Sequence, residues 1–98
     1  MSHVVEIDAI AEREAREAFE WYRARDPDIA DRFEGAFRQT VTKIGAAPLR
    51  FPPHAHSTRR AVVERFPWVV VFLVRAESIR ILAVAHMRRR PGYWRGRR

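Results

Sequence analysis

His86, Arg88, Arg89, Arg90, Tyr93 and Trp94 crowd the end of this chain, and a histidine among cations and aromatic rings suits work on a phosphodiester. Cleavage of RNA by its own 2′-hydroxyl needs a base, an acid, and positive charge against the charge growing on phosphorus. His86 is the candidate base or acid, Arg88 and Arg60 are candidate cations, and Tyr93 or Trp94 could stack against a nucleobase. The plainer reading is that His86 ends a strand and that Arg88 to Arg90 form a solvated surface run. Nothing in the spacing sets a second titratable group beside His86, so both readings stay open. Arg60 is equally open to pairing with Glu64 or Glu6.

Other chemistries have less to stand on. His54 and His56 are spaced to chelate, but no third ligand lies nearby and a divalent site wants three or four, so no metal is expected. There are no cysteines, which removes disulfides, thiolate zinc sites and thiol nucleophiles together. No GxSxG elbow occurs, and the four glycines, Gly35, Gly45, Gly92 and Gly96, supply no phosphate-cradling loop. No cofactor is expected.

The elements that must hold these residues follow from periodicity. Trp68 to Val74 is an unbroken β-branched and aromatic run, the composition of a strand buried on both faces. Ala76-Glu77-Ser78 interrupts it. Ile79 to His86 then resumes as a strand, and a two-residue period puts Ile79, Ile81, Ala83 and Ala85 on one face with Arg80, Leu82, Val84 and His86 on the other. Upstream, Ala11, Ala15, Ala18 and Tyr22 recur at helical spacing and predict a helix over Ala9 to Arg25. Asp26 should cap a second helix with Pro27 in its first turn. Its face is Ile29, Phe33, Phe37, Val41 and Ile44, with Gly45 as the stop signal. His3 to Asp8 and Thr58 to Arg65 read as further strands, and 46–57 as a proline-rich connection.

The expected fold is a single α+β domain over 1–98: an N-terminal strand, then an antiparallel helical hairpin packed on one side of a mostly antiparallel four-stranded sheet, with the other side partly free. A hydrophobic fraction of 47% is enough for a packed core in one domain. No apolar run approaches the ~20 residues of a membrane span, and acid appears too early for a signal peptide; a cytoplasmic protein is expected. The net charge of +7 is unevenly placed. Acid lies mostly in the first half, while Arg88, Arg89, Arg90, Arg95, Arg97 and Arg98 close the chain. A polarised basic end implies an acidic partner, either nucleic acid or an acidic protein segment.

Three stretches together resemble the RelE/ParE toxin superfamily of type II toxin–antitoxin modules, with the ParE branch, the plasmid-stabilisation toxins, nearest. They are Arg59-Arg60-Ala61-Val62, then Arg65-Phe66-Pro67-Trp68, then Ile81 to His86 continuing as x-Arg88-Arg89-x-Pro91-x-x-Trp94. The Trp21-Tyr22 end of the first helix and the Ala47-Pro48 exit of the second fit the same pattern. The resemblance implies a bacterial toxin neutralised by a cognate acidic antitoxin in a hetero-oligomer such as a heterotetramer. RelE-like members cut messenger RNA on the ribosome; on that alternative His86, Arg88 and Tyr93 would be a reduced active site. Yet Val69 stands where those nucleases carry an arginine, and Ala61 to Glu64 replace their paired lysines. ParE-like members lack that set as well and poison DNA gyrase without catalysing a reaction. The resemblance therefore favours a gyrase-binding inhibitor that uses Arg60, Arg88, Arg89, Arg90 and Trp94 to hold its target or antitoxin.

Overall fold

The computed structural model describes residues 3–97; Met1, Ser2 and Arg98, the last arginine of the basic tail, lie outside it. Strands β1 (Val4–Ile7), β2 (Pro53–His54), β3 (Thr58–Val62), β4 (Trp68–Val74) and β5 (Ser78–His86) form one sheet in the order β1-β5-β4-β3-β2. Among the described residues only the β1–β5 pairing is parallel. The sheet has five strands where four are expected. The extra one, β2, is two residues long and pairs Pro53 with Arg59 and His54 with Thr58. Proline is tolerated on such an edge, and a two-residue strand leaves no alternation in the sequence.

Helix α1 (Ala9–Arg23) buries Ala11 and Ala18 against the sheet. The Asp8 carboxylate caps it by accepting the Ile10 amide at 2.9 Å. Helix α2 (Pro27–Ala46) starts as its sequence demands, with Pro27 in the first turn and Asp26 accepting the Asp28 amide at 2.9 Å. Gly45, however, does not stop it. That residue is buried in the last turn, where a Cβ would come 3.1 Å from Cγ2 of Val5, and its carbonyl accepts the His3 amide at 2.9 Å. Its missing side chain lets β1 approach the helix.

The largest departure from simple alternation is in β5. Val71 lies opposite Ala83 but Phe72 lies opposite Ile81, so Leu82 is an extra residue in the ladder. This β-bulge reverses the phase of everything beyond it. Residues directly opposite share a face. Ile79 and Ile81 therefore face the helices, while Ala83 and Ala85 point to the far side with Val71 and Val69. Val84 and His86 return to the helix side. The expected grouping of Ile79, Ile81, Ala83 and Ala85 on one face is thus wrong.

Two apolar clusters result. Phe33, Ile44, Val63, Val70, Phe72 and Ile79 belong to the one between sheet and helices. The far-side cluster contains Val69, Val71, Leu73, Leu82, Ala83, Ala85 and Trp94. The far side is therefore less open than expected, because the tail folds back to cover it.

Candidate functional site

The bulge decides where His86 points. Strict alternation from Ile79 would send it to the far face; the extra residue at Leu82 sends it to the helix side instead, opposite Trp68 at the start of β4. The two rings meet edge to face at 5.3 Å, and Trp68 Nε1 donates to the Tyr22 hydroxyl of α1 at 3.0 Å. The Arg88 amide donates to His86 Nδ1 at 3.1 Å. A ring nitrogen that accepts carries no proton, so the neutral imidazole holds its hydrogen on Nε2. His86 lines a groove of about 670 Å³ with Trp21, Tyr22, Trp68, Arg89 and Tyr93.

Arg60 is elsewhere. It lies opposite Val71, a member of the far-side cluster, so it projects from the face that His86 does not share. One of the two expected cations, Arg60, is thus separated by the sheet from the expected acid or base, while the other, Arg88, follows His86 by two residues. Val69, which stands where the related nucleases carry an arginine, is 6% exposed within the far-side core.

Tyr93 and Trp94 are both engaged inside the protein. Trp94 is 1% exposed, packed in the far-side cluster and stacked on His54 at 5.4 Å and 24°. This corrects its assignment to a binding surface: the ring is core, and its Nε1 is buried without a hydrogen-bond partner. The Tyr93 hydroxyl donates to Glu14 Oε2 at 2.8 Å. Burial first, and then the hydrogen bond and charge of Glu14, push the phenol well above its ordinary pKa. A phenol held this way makes a poor general acid or base at neutral pH.

Glu14 is the residue that sequence reading missed. Strand β1 accompanies β5 only as far as Ile81, leaving the edge of β5 beyond it without a neighbouring strand. Glu14 Oε1 accepts the Val84 amide at 3.1 Å and Arg97 Nη1 at 2.7 Å. Arg97 Nη1 also reaches the Leu82 carbonyl at 3.0 Å. Two side chains thus occupy hydrogen-bonding positions that a sixth strand would take. Burial works against the Arg97 charge, but the hydrogen bond and charge of Glu14 more than offset it and hold the guanidinium charged. No spacing rule singles Glu14 out from Glu12 and Glu17, because its partners lie 70 to 83 residues away.

Of the tail arginines, Arg89 lies over the Tyr93 ring at 3.6 Å. Arg88 and Arg90 are exposed. Among the described residues no group of three His, Asp or Glu converges to hold a metal, and no helix is long and apolar enough to cross a membrane.

Comparison with known proteins fits this layout. Residues 5–91 match the family described as ParE toxin of type II toxin-antitoxin system, parDE. Toxin ParE2 of Mycobacterium tuberculosis, from strains CDC 1551 / Oshkosh and H37Rv, is 37% identical over 76 residues, spanning 76% of this chain and 72% of the relative. A solved structure titled "Chromosomal ParDE TA system from P. aeruginosa" shares the fold, with a TM-score of 0.76 at 17% identity over 87% of this chain and 96% of that one. With the family matched across the strand-helix-helix-sheet core and into the arginine run, this chain belongs to the ParE toxins of type II toxin–antitoxin systems.

Proposed function

We propose that this toxin arrests growth in the cytoplasm by binding and poisoning DNA gyrase, without catalysing a reaction itself, and that an acidic cognate antitoxin neutralises it in a hetero-oligomer. The observation that carries the non-enzymatic part is the commitment of Tyr93 to Glu14, which takes away the second proton-handling group of the expected set, while Arg60 lies across the sheet from His86. Cleavage of a phosphodiester by general acid–base catalysis needs both a base and an acid within reach of one reacting group. Arg88 and Arg89 beside His86 supply charge but no such partner. Arg60, Arg88, Arg89 and Arg90 contribute to holding target or antitoxin. The groove beside α1, lined by Trp21, Tyr22 and Trp68, supplies the apolar anchors that a folding antitoxin segment requires.

The test uses the purified chain with gyrase and plasmid DNA. Linear, protein-linked DNA should accumulate in its presence and disappear when an antitoxin is added. His86→Ala should poison as well as the parent. Cuts in translated messages on purified ribosomes, lost in His86→Ala, would establish instead the ribonuclease of RelE type.

A further inference from the structure

Among the described residues the tail from Met87 to Arg97 is fixed along its length although it contains no long helix or strand. The Met87 amide donates to Pro67 O at 2.9 Å, Arg89 to His86 O at 2.9 Å, Arg95 to Gly92 O at 3.1 Å and Arg97 to Trp94 O at 2.9 Å. Trp94 plugs the far-side core, and Tyr93 and Arg97 are tied to Glu14. Between these anchors stand Arg88, Arg90 and Arg95. All three are exposed, and among the described residues their guanidinium groups meet no carboxylate and no other acceptor. No acidic residue occurs from Met87 onward. Arg23, Arg38, Arg80 and Arg97 each reach a carboxylate; what sets the tail cations apart from the other unpaired arginines is that no acid stands near them in the chain.

Arg60 adds an exposed cation on the far face: its charge, after burial, helps to lower the pKa of His54, whose ring stacks on Trp94, the residue before Arg95. The backbone beneath the tail cations is already ordered, so a ligand of regularly spaced anions has only their side chains to order.

We infer that Arg88, Arg90 and Arg95, together with Arg60, form a surface that binds the phosphate backbone of nucleic acid directly and without regard to base sequence. An acidic antitoxin segment that reaches these cations must take its apolar anchors from elsewhere. Peptide interfaces need desolvated apolar anchors between their ion pairs, and Met87 and Pro91 are the exposed apolar residues in this stretch. The apolar groove lies beside α1, lined by Arg89 and Tyr93 rather than by these three arginines. Stacking on unpaired bases is blocked as well. The Trp94 ring is buried, and the Tyr93 face is covered by Arg89, so neither can stack on a base. The inference stands apart from the gyrase reading, since contact with DNA alone requires no enzyme.

The experiment titrates the purified chain onto fluorescent DNA duplexes of about 20 base pairs and two unrelated sequences, between about 50 and 200 mM salt. Four phosphate contacts give a slope of about −3.6 in log affinity against log salt, so binding should weaken about a hundredfold over that range, equally for both duplexes. The Arg88→Ala, Arg90→Ala, Arg95→Ala triple variant should weaken only about threefold, and each single substitution should flatten the slope by about 0.9. Substituting Arg13, Arg16 and Arg32, exposed on the two helices, by alanine removes equal charge and should keep the hundredfold dependence. The inference is overturned if the tail variants retain the parent slope, if the helix variant loses it to the same extent, or if one duplex is bound about tenfold better. It fails too if polyglutamate displaces the labelled duplex as well as unlabelled DNA does at equal charge, which would identify an acidic polypeptide as the ligand.

Discussion

The two faces of this sheet are closed in different ways. On one, Val70, Phe72, Ile79 and Ile81 meet residues of α1 and α2, among them Ala11, Ala18, Phe33 and Ile44. On the other, Val69, Val71, Leu82 and Ala85 are covered chiefly by one ring, Trp94, with Ala55 and Tyr93 at its margin. The helical lid is a continuous amphipathic hairpin held by many side chains. The tail lid hangs on Trp94 and on the bonds to Glu14. The segment that carries Arg88, Arg90 and Arg95 is therefore also the second wall of the core. The tail has a structural duty as well as an interacting one.

The comparison breaks most readily at Trp94. If the far side is a true second core, Trp94→Ala should cost about 3–5 kcal/mol, similar to Phe33→Ala on the helix side. Urea unfolding of both variants measures this directly. A loss below about 1 kcal/mol for Trp94→Ala would reduce the far-side cluster to a loosely covered surface.

Next in size is Glu14→Ala. The Glu14 and Arg97 side chains are each 13% exposed, and removing one member of a buried pair leaves the other charge uncompensated, at a cost of about 3 kcal/mol. The same substitution strips the acceptor from the Val84 amide and the Tyr93 hydroxyl. Hydrogen exchange at Val84 should therefore quicken while that at Val70, deep in the sheet, follows only the global loss. Equal acceleration at both would mean that the tail lid does not open on its own. Tyr93 adds a pH signature: its phenol is raised in the fold, so its contribution is intact below its unfolded pKa of 10.0 and declines as pH rises beyond it.

Much of the helix-side core was legible in the sequence because its signals are local. The small-residue stripe of α1, the Asp26-Pro27 start of α2 and the apolar run of β4 each specify themselves within a few residues. The far side was not, for three physical reasons. A one-residue bulge at Leu82 leaves no mark in a run where every residue is apolar, yet it exchanges Ala83 and Ala85 for Val84 and His86. Trp94 sits among arginines, glycines and prolines, a composition that predicts exposure, and only the tertiary fold shows the pocket it fills. Glu14 looks like its neighbours on a charged helix face. The candidate site shows the same limit: charge marks Arg60, Arg88, Arg89 and Arg90, while Glu14, which fixes the tail, has no local signature.

The smallest expected effect concerns His54, at the seam where the tail lid meets the β2 edge. Its imidazole stacks on Trp94. Burial, then the charge of Arg60, lowers its pKa below the ordinary 6.5. The unfolded chain therefore takes up this proton at a higher pH than the folded protein does. Stability from His54 is fully present above about pH 6.5 and is lost as pH falls toward the lowered folded value. Carboxylates elsewhere also titrate in acid, so the parent alone cannot isolate the effect. His54→Phe retains an aromatic ring against Trp94 but has no proton to gain. The melting temperature of the parent should fall more steeply than that of His54→Phe between about pH 7.5 and 5. Parallel curves would show that the stacked imidazole carries its charge without penalty, and that the far-side lid tolerates a cation where the helix-side core has none.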